Sequence, residues 1–547
     1  MSTVTRNALV STETTLREYV STGVMALGAV LFLASWAVLF QWVSERTPVL
    51  GVEPFVLFGA LLLAMAVGIA GVGVAARLGR VSASPSASAG LVVGALFGGI
   101  GFVAGGLVAS QTLGMGTGGW LAAALAAGVA VAALAVVPRE DVGSTFPPAL
   151  FLAFVGALLV TGTLGLGWSW SPNGVSATFV GSVMVPVLTI VGSLVGSWSA
   201  AKARAGFGTQ GREGGAFYLI RLSVFGMLGV LALLVGFIVK NGLETALTNA
   251  QFGLDGHLGL PGTLFGVSLP DWTVPFVDLQ VPFVTNVSQS LFVEVPGLAP
   301  AILGTLWLVV GAMLFAIPLG LAAAIFLAEY TESRLFRQLV EIATNGLWST
   351  PSIVFGLFGL AFLVPRFGGG KSLLSGQLVL GFMLLPLVVI TSYESIKAVP
   401  DEYRDASAAL GVTQWQTIKS AVLPAAMPGV ITGVILGVGR IAGETAPLLL
   451  VYGGPPFASR NPSVLSSFQF TSSPPFVSNT ALLDAGSALP YQLYTSITSG
   501  RLPGQGAPFS VQDFGWGTAL VLLVVVLGLY AFGIAGRIYF RRKLYNE

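Results

Sequence analysis

Long apolar stretches recur along the whole chain, separated by shorter polar segments. Each is roughly 20 residues long, the length that an α-helix needs to cross about 30 Å of hydrocarbon. The first is too long for the apolar part of a secretory signal, so we expect it to be retained. The pattern predicts an all-α integral membrane protein with twelve spans, at residues 22–43, 54–76, 89–110, 117–137, 148–168, 177–199, 218–240, 300–328, 345–365, 375–396, 425–450 and 516–536.

Lysine and arginine positions predict the orientation of these spans. With the N-terminus in the cytoplasm, 18 of the 25 basic residues fall on the cytoplasmic side, six fall outside, and Arg440 lies within a span. An even number of spans returns the chain to its starting side, so both termini are predicted inside. The chain is predicted to lie in the lipid bilayer of the cytoplasmic membrane. The long external segments 241–299 and 451–515 are predicted to be loops or re-entrant pieces.

Composition supports the membrane class and excludes several others. Only 9% of the 547 residues are charged, 54% are hydrophobic, and the mean hydropathy is +0.86. A soluble chain is usually about one quarter charged. The net charge of +2 is too small to indicate a nucleic-acid partner, and the absence of cysteine excludes disulfides and thiolate metal sites in this chain.

One predicted cytoplasmic loop, residues 397–424, has an organisation of its own. Pro400 disfavours helix at the preceding residue, so the incoming span should end there. Residues 401–410 are helix formers with an acidic first turn, and Gly411 permits the sharp turn that follows a helix C-terminus. A second short helix is predicted at 413–422.

Pro424 then suits the first turn of the next span. The loop is therefore predicted to form two short helices outside the bilayer. The small residues Ala406, Ser407 and Ala409 would be exposed on the first of them, where a cytoplasmic partner could dock.

This segment resembles the coupling loop of binding-protein-dependent ABC importers. In that family Glu-Ala-Ala is followed after three residues by Gly, and after nine more by Ile-x-Leu-Pro. The spacing is kept here, with three mild departures: Asp for Glu, Ser for the second Ala, and Ala for Ile. The matching positions are Asp405-Ala406-Ser407, Gly411 and Ala421-x-Leu423-Pro424.

A second motif narrows the resemblance. The segment Gly439-Arg440-Ile-Ala-Gly443-Glu444-Thr445-Ala446-Pro447 is similar to the Arg-x-x-Gly-Glu-Thr-Ala-Pro segment of PstA-type phosphate permeases. Related PstC permeases share Gly-Glu-Thr but continue differently. The resemblance covers residues 216–540 and implies a type I ABC importer fold, the MetI-like six-helix permease unit. About six additional transmembrane helices, in residues 1–205, precede it.

The resemblance also implies the partners. These are a PstC-like permease, a PstB-like ATPase dimer and a PstS-like phosphate-binding protein. The chain itself would be a transport subunit without a cofactor, and ATP and Mg would bind to the ATPase. Gly206-x-Gly208-x-x-Gly211 matches a dinucleotide fingerprint by letter, but no strand precedes it. Gly370-Lys371-Ser372 ends like a phosphate-binding loop, but Pro365 stands where its first glycine should be.

Arg440 and Glu444 are predicted to lie in one span, on one helical face at i and i+4. A buried arginine is costly in a bilayer, so it should face a partner or a watery path. One hypothesis makes the pair structural. The other places Arg440, Glu444 and Thr445 on the translocation path, with Arg440 compensating the charge of phosphate and Thr445 adding a neutral donor.

Two alternatives to phosphate import remain open from the sequence. One is a permease for another oxyanion, sulfate or molybdate. The other is an ion-coupled secondary transporter, which would need ionisable residues along a pathway in two matching halves. The predicted spans of residues 1–200 contain no ionisable residue, so we interpret this region as a stability appendage rather than a second path or a sensor.

Overall fold

The structure is a computed structural model. It describes residues 16–49, 51–171, 176–253, 263–264, 267–268, 278–288, 294–472, 476–502 and 508–546. The helices of the first half are α1 (Leu16–Leu39), α2 (Pro54–Arg77), α3 (Leu91–Leu107), α4 (Thr117–Val136), α5 (Glu140–Gly143), α6 (Phe146–Val160), α7 (Gly181–Arg204), α8 (Gly208–Ala246) and α9 (Pro282–Thr285). Those of the second half are α10 (Ala299–Ile325), α11 (Arg334–Ser349), α12 (Ser352–Phe358), α13 (Val364–Arg366), α14 (Leu373–Lys397), α15 (Glu402–Ala409), α16 (Gln414–Thr417), α17 (Leu423–Ala442), α18 (Ala446–Val451), α19 (Thr480–Leu483), α20 (Leu489–Ser499) and α21 (Val511–Asn546).

Four π-helical turns join or extend these helices: Val108–Thr112 after α3, Phe326–Tyr330 after α10, Gly359–Leu363 between α12 and α13, and Ile418–Val422 between α16 and α17. The strands form short antiparallel pairs, β1 (Ser169–Trp170) with β2 (Phe179–Val180), β3 (Gln251–Gly253) with β6 (Asp278–Gln280), β4 (Thr263–Leu264) with β5 (Val267–Ser268), and β7 (Phe468–Phe470) with β8 (Val477–Asn479). Their registers pair Ser169 with Val180, Phe252 with Leu279, Thr263 with Ser268, and Gln469 with Ser478. The strands are short and the other elements are helices, so the predicted all-α class is confirmed.

Eleven helices in the described part of the chain are long and apolar enough to cross a membrane. A twelfth span exists only if the pair Arg334–Ser349 and Ser352–Arg366, bent by 98°, counts as one. The predicted span at 345–365 is therefore not one straight helix, because the chain turns at Thr350 and Pro351. Pro351 disfavours helix at the residue before it, which explains where the break falls.

The predicted helix at 425–450 is also wrong in its bounds. It begins earlier, since α16 continues through the π-turn into α17, and Gln414–Ala442 forms one helix. It also ends earlier, because α17 stops at Ala442 and α18 starts only at Ala446. The break at residues 443–445 follows from Gly443, which weakens the helix, and from Pro447, whose ring suits the first turn of a new one.

Internal contacts divide the chain into two units, Met1–Phe237 and Ile238–Glu547, with the boundary inside α8. In the first unit α1, α2, α6 and α7 enclose a core of fully buried side chains that includes Leu31, Leu62, Met65, Leu152 and Val185. Helices α3 and α4 pair as a hairpin. At the turn between α7 and α8, Gly206 and Gly208 adopt left-handed backbone conformations.

The first unit also contains a buried ion pair that the sequence interpretation missed. Glu140 and Lys202 are 0% and 1% exposed, and Lys202 Nζ lies 3.0 Å from Glu140 Oε1. The backbone amides of Ser86 and Gly208 each donate to Glu140 Oε2 at 2.9 Å. Both residues of the pair lie outside the predicted spans 148–168 and 177–199, but the candidate spans in the structure begin at Glu140 and end at Arg204 and so include ionisable residues at their ends. The cluster is fully hydrogen-bonded, which is typical of a structural role.

In the second unit α14 is the central helix, and α10, α11 and α17 pack against it. Helix α21 also packs against α17. The core consists mostly of aliphatic residues, among them Leu308, Val379, Leu384, Val388 and Ile441. This packing fixes α17, and with it the two segments that the sequence singles out: the loop at its start and the Arg440 motif at its end.

Candidate functional site

The loop between α14 and α17 folds as two short helices on either side of a glycine turn. Helix α15 ends at Ala409, and Gly411 adopts a left-handed φ of +72°. The side chains of Thr413 and Gln416 then cap the start of α16 in a reciprocal hydrogen-bonded arrangement. Gln416 stands three residues after the cap, the spacing that this arrangement needs. The loop therefore holds its shape through local interactions.

An arginine fixes this loop to the rest of the unit. The Arg404 guanidinium in α15 donates to Glu329 Oε1 through Nη2 at 2.7 Å and through Nε at 3.2 Å. It also donates to the carbonyl oxygens of Val399 and Ile396 at the end of α14. The hydrogen bond with Glu329 raises the pKa of Arg404 above its ordinary value, so the guanidinium keeps its charge. Two donors of one guanidinium on the same carboxylate fix its orientation as well as its distance.

The predicted docking surface is exposed. No residue of α15 is buried. Asp405, Ala406 and Ala409 are exposed and Ser407 is partly so. Three large side chains extend the surface, since Tyr403, Leu410 and Trp415 are 50%, 82% and 56% exposed. Exposed apolar side chains grouped in this way mark protein interaction sites.

Pro424 lies in the first turn of α17, as the sequence predicts, although α16 and the π-helical turn continue into α17 without a break. Leu423 and Pro424 are both half-buried, at the point where the π-turn passes into α17. Their neighbours Val422 and Ala426 are buried in a cluster with Ala324 of α10 and Ile396 of α14. Leu423 and Pro424 therefore belong to the attachment of the loop, whereas residues 405–411 belong to its exposed surface.

The Arg440 motif lies where two interrupted helices meet. One interruption is the elbow at Thr350–Pro351 between α11 and α12, and the other is the break between α17 and α18. Helices α12 and α18 pack on each other, and a side chain at Gly356 would contact Pro447. Gly356 therefore allows the close approach that places the two breaks side by side. Interrupted helices in membranes are tolerated where they line a cavity, and they commonly form substrate sites.

Arg440 reaches across from one break to the other. Its guanidinium carbon lies 4.0 Å from the centre of the Trp348 ring, at the end of α11. Its Nε lies 3.9 Å from Glu444 Oε1. The ion pair thus forms although α17 ends at Ala442, so the predicted continuous helical face is wrong while the predicted proximity is right. At 3.9 Å the pair is a loose one, outside hydrogen-bonding distance.

The arrangement leaves Arg440 available to an anion. Its side chain is 36% exposed, against 17% for Glu444. Stacking on Trp348 holds the guanidinium plane without using its N–H donors. Thr445, directly after Glu444, is partly buried and caps α18 by position. The three predicted residues Arg440, Glu444 and Thr445 are therefore brought together in and beside the helix break.

Sequence reasoning missed Trp348, Glu329 and Arg404 as members of these sites. Trp348 precedes Ser-Thr-Pro, a helix-stop signal that could have placed it at a helix end. Glu329 and Arg404 each lie near a predicted membrane boundary, where charged residues are common. No local feature of the sequence therefore indicates that these two residues form an ion pair.

Comparisons with known proteins identify similar transport proteins. Residues 316–544 match the family described as binding-protein-dependent transport system inner membrane component. The phosphate transport system permease protein PstA of Xylella fastidiosa (strain Temecula1) is 36% identical over 278 residues, covering 51% of this chain and 85% of the relative. PstA of Mycobacterium leprae is 34% identical over 248 residues, covering 45% and 72%.

Two further similarities are of the same kind. The probable ABC transporter permease protein YqgI of Bacillus subtilis is 31% identical over 263 residues, covering 48% of this chain and 85% of the relative. A solved inward-facing structure of the MetNI methionine ABC transporter aligns with 44% of this chain and 94% of its own, at 16% identity and a TM-score of 0.33.

Proposed function

The chain belongs to the family of binding-protein-dependent transport system inner membrane components, and on that premise we propose that it is the permease subunit of an ABC importer for inorganic phosphate. Members of this family are transport components rather than enzymes, and they work with an ATPase and a binding protein. The chain is a multi-pass membrane protein. Its PstA relatives supply the substrate class for the proposal.

The finer assignments are part of the same proposal. Residues 216–540 form the permease unit, and a PstC-like permease completes the membrane pair. A PstB-like ATPase dimer binds ATP and Mg, and a PstS-like protein delivers phosphate from outside. The permease spans the cytoplasmic membrane with both termini inside, as the distribution of basic residues predicts. Residues 1–205 form an extension that stabilises the membrane region.

The coupling loop would transmit conformational changes of the ATPase to the membrane-spanning helices. Residues Asp405, Ala406, Ser407 and Gly411 present the exposed surface on which an ATPase could dock. Arg404 ties that surface to Glu329 at the end of α10 and to the end of α14. Movement of the docked ATPase would therefore be transmitted to two spans, because these contacts make the loop rigid.

The path of the anion would pass the two helix breaks. Arg440 has N–H donors free of hydrogen bonds within the described residues, and its fork suits two phosphate oxygens. Glu444, at 3.9 Å, offsets part of the charge and so limits how tightly the anion is held. Thr445 can donate a neutral hydrogen bond. A transport site needs binding that is strong enough for entry and weak enough for release.

The observation that carries the proposal is Arg440, exposed and stacked on Trp348 between two interrupted helices. The test is uptake of radiolabelled phosphate by the reconstituted complex with its partner permease, ATPase and binding protein. Sulfate and molybdate are added in excess as competitors. ATP-dependent uptake inhibited by unlabelled phosphate alone is expected. Uptake that requires no ATP would contradict the proposal and favour an ion-coupled transporter.

A second candidate is import of another oxyanion. A guanidinium binds any tetrahedral oxyanion by the same fork geometry, so Arg440 by itself does not choose among them. Preferential inhibition by sulfate or molybdate in the same uptake measurement would favour this candidate.

A further inference from the structure

Helix α11 (Arg334–Ser349) has two sharply different faces. Arg334, Arg337, Gln338, Glu341 and Asn345 recur at spacings of three and four residues, which places them on one side of the helix. The other side carries apolar residues at the same kind of spacing: Leu335, Leu339, Ile342 and Gly346. The helix has no buried residue, so both faces are accessible in the structure.

The two faces point in unexpected directions. The polar side chains line a cavity of about 370 Å³ that α11 shares with Tyr393, Glu394 and Lys397 of α14. The apolar face is turned away from it, with Leu335, Leu339 and Ile342 68%, 56% and 69% exposed. A helix on a water-soluble surface would bury its apolar face instead. The reversed arrangement suits a helix with lipid outside and a water-filled cavity inside.

The cavity has more cationic than anionic side chains. Arg334, Arg337 and Lys397 line it together with the carboxylates Glu341 and Glu394. Within the described part of the chain, none of the three cations lies within 4 Å of a carboxylate. Arg337 donates from Nη2 to the Thr331 carbonyl at 2.6 Å, while its Nε is buried and has no hydrogen-bond partner among the described residues. Buried donors are nearly always paired, so this unpaired nitrogen is an exception in the lining of the cavity.

The same helix joins the cavity to Arg440. Its last turn carries Trp348, the ring on which the Arg440 guanidinium stacks. Trp348 lies eleven positions after Arg337, a rise of about 16 Å along an α-helix. A polar strip on α11 therefore leads from Arg440 to Arg334 and Lys397, which the basic-residue distribution places at the cytoplasmic boundary.

We propose that the cavity between α11 and α14 is the cytoplasmic exit of the translocation path, where Arg334, Arg337 and Lys397 attract the oxyanion after it leaves Arg440. The inference rests on the proposed import function for its direction of flow, but its charge selectivity does not depend on the identity of the anion. Glu341 and Glu394 reduce the net attraction, so the cavity guides the anion and does not retain it. The apolar face of α11 is in contact with lipid.

The chain has no cysteine, which makes site-directed labelling a direct test. Single cysteines are introduced on the polar face (Gln338→Cys, Asn345→Cys) and, as matched controls, on the apolar face (Leu339→Cys, Ile342→Cys). The assembled complex in inside-out vesicles is treated with membrane-impermeant thiol reagents, one anionic and one cationic, that are alike in size. We expect labelling on the polar face only, with the anionic reagent favoured. Equal labelling of both faces would overturn the proposal.

The charge dependence is tested in the Gln338→Cys background. Arg334→Gln and Lys397→Gln, which break no hydrogen bond or ion pair recorded in the described residues, should each lower the anionic labelling rate about threefold, the factor expected for one unit charge about 6 Å away in water. Arg80→Gln, which removes an exposed arginine of the other unit, should leave the rate unchanged. An unchanged rate in both cavity variants would also overturn the proposal.

Uptake distinguishes this inference from the proposed function. Arg334→Gln and Lys397→Gln should lower the maximal rate of phosphate uptake at unchanged KM, since they act after the anion has bound. Normal uptake in the double variant, with an unchanged labelling preference, would reject the exit and leave phosphate import intact. Anion-selective labelling in a complex that imports no phosphate would reject the substrate and support the exit.

Discussion

The Arg440 guanidinium lies against the ring of Trp348, which joins the break after α17 to the elbow after α11. Stacking on an aromatic face orients a guanidinium while its N–H groups stay free for a ligand. The loose contact with Glu444 adds a carboxylate on the same side. This combination suits an anion-binding site, because the guanidinium is held in a fixed orientation and the anion can still be released easily.

The first prediction concerns the charge at this site. Arg440→Gln should abolish phosphate uptake and leave assembly and basal ATPase activity largely intact, because the residue is exposed and its ion pair is loose. Arg440→Lys keeps the charge but loses the planar fork and the stacking, so we expect uptake reduced by about tenfold rather than abolished. Uptake and thermal stability are measured on the same preparations. A parallel collapse of stability would make the Arg440–Glu444 pair structural.

The second prediction concerns the turn in the coupling loop. Gly411 has a φ of +72°, and a side chain there would meet nothing within 4 Å. The effect of substitution is therefore purely a backbone effect. Gly411→Val should abolish ATPase co-purification and uptake, since a β-branched residue rarely adopts this conformation.

Gly411→Asn is the matched control, because Asn tolerates the left-handed region. It should retain most of the uptake. Membrane insertion of both variants is expected to be normal. If Gly411→Val still couples ATP hydrolysis to transport, the loop does not bind the ATPase as proposed.

The third prediction separates the two carboxylates that bind Arg404. Glu329→Ala removes a partner that is 7% exposed and hydrogen-bonded at 2.7 Å, so it should lower stability by about 1.5–3 kcal/mol and raise the ATP consumed per phosphate. Asp401→Ala removes a partner that is 91% exposed, and its effect should be below about 1 kcal/mol. Thermal unfolding and coupled ATPase measurements report both. Equal effects of the two substitutions would mean that the coupling loop does not transmit movement through the ion pair with Glu329.

The fourth prediction concerns the buried pair of the first unit. Lys202→Met leaves Glu140 buried with only the more distant Arg212, 3.5 Å away, as its counter-charge. Removing one member of a buried pair costs about 3 kcal/mol or more, and replacing both members costs less. We expect a lower unfolding temperature for Lys202→Met and partial recovery in Glu140→Gln/Lys202→Met. Phosphate uptake below the unfolding temperature should be unchanged, and a specific loss of uptake would assign this cluster a role in transport.

The fifth prediction concerns the first 205 residues. A shortened chain that begins at Gly211 should still insert, assemble and import phosphate, because the proposed permease unit lies within 216–540. Its stability should fall, since α8 loses the hydrogen bond from Trp42 to the Leu233 carbonyl and the packing of Phe32 against Gly226. Uptake and thermal stability are compared with those of the full chain. Normal assembly without uptake would make the extension part of the transport mechanism.

The sequence determined the features that depend on local chemistry. Hydropathy located most of the spans to within several residues, because transfer of apolar helices into lipid depends on composition and length. The glycine turn and the short helices of the coupling loop also followed from local preferences, as Gly411 shows. The motif spacing around Asp405 and Arg440 identified the family in the same way.

The tertiary structure alone decided which distant residues meet. Trp348 and Arg440, Glu329 and Arg404, and Glu140 and Lys202 lie on different helices, and no local pattern joins them. The structure also shows that the span containing Arg440 is interrupted at Gly443, although the apolar pattern runs on to Leu450. Gly443 and Pro447 permit this break, and the hydropathy pattern does not reveal that it is used. Hydropathy averages over a window and does not register where packing and neighbouring breaks make an interruption favourable. These contacts arise only when helices pack, because their stability comes from partners far along the chain.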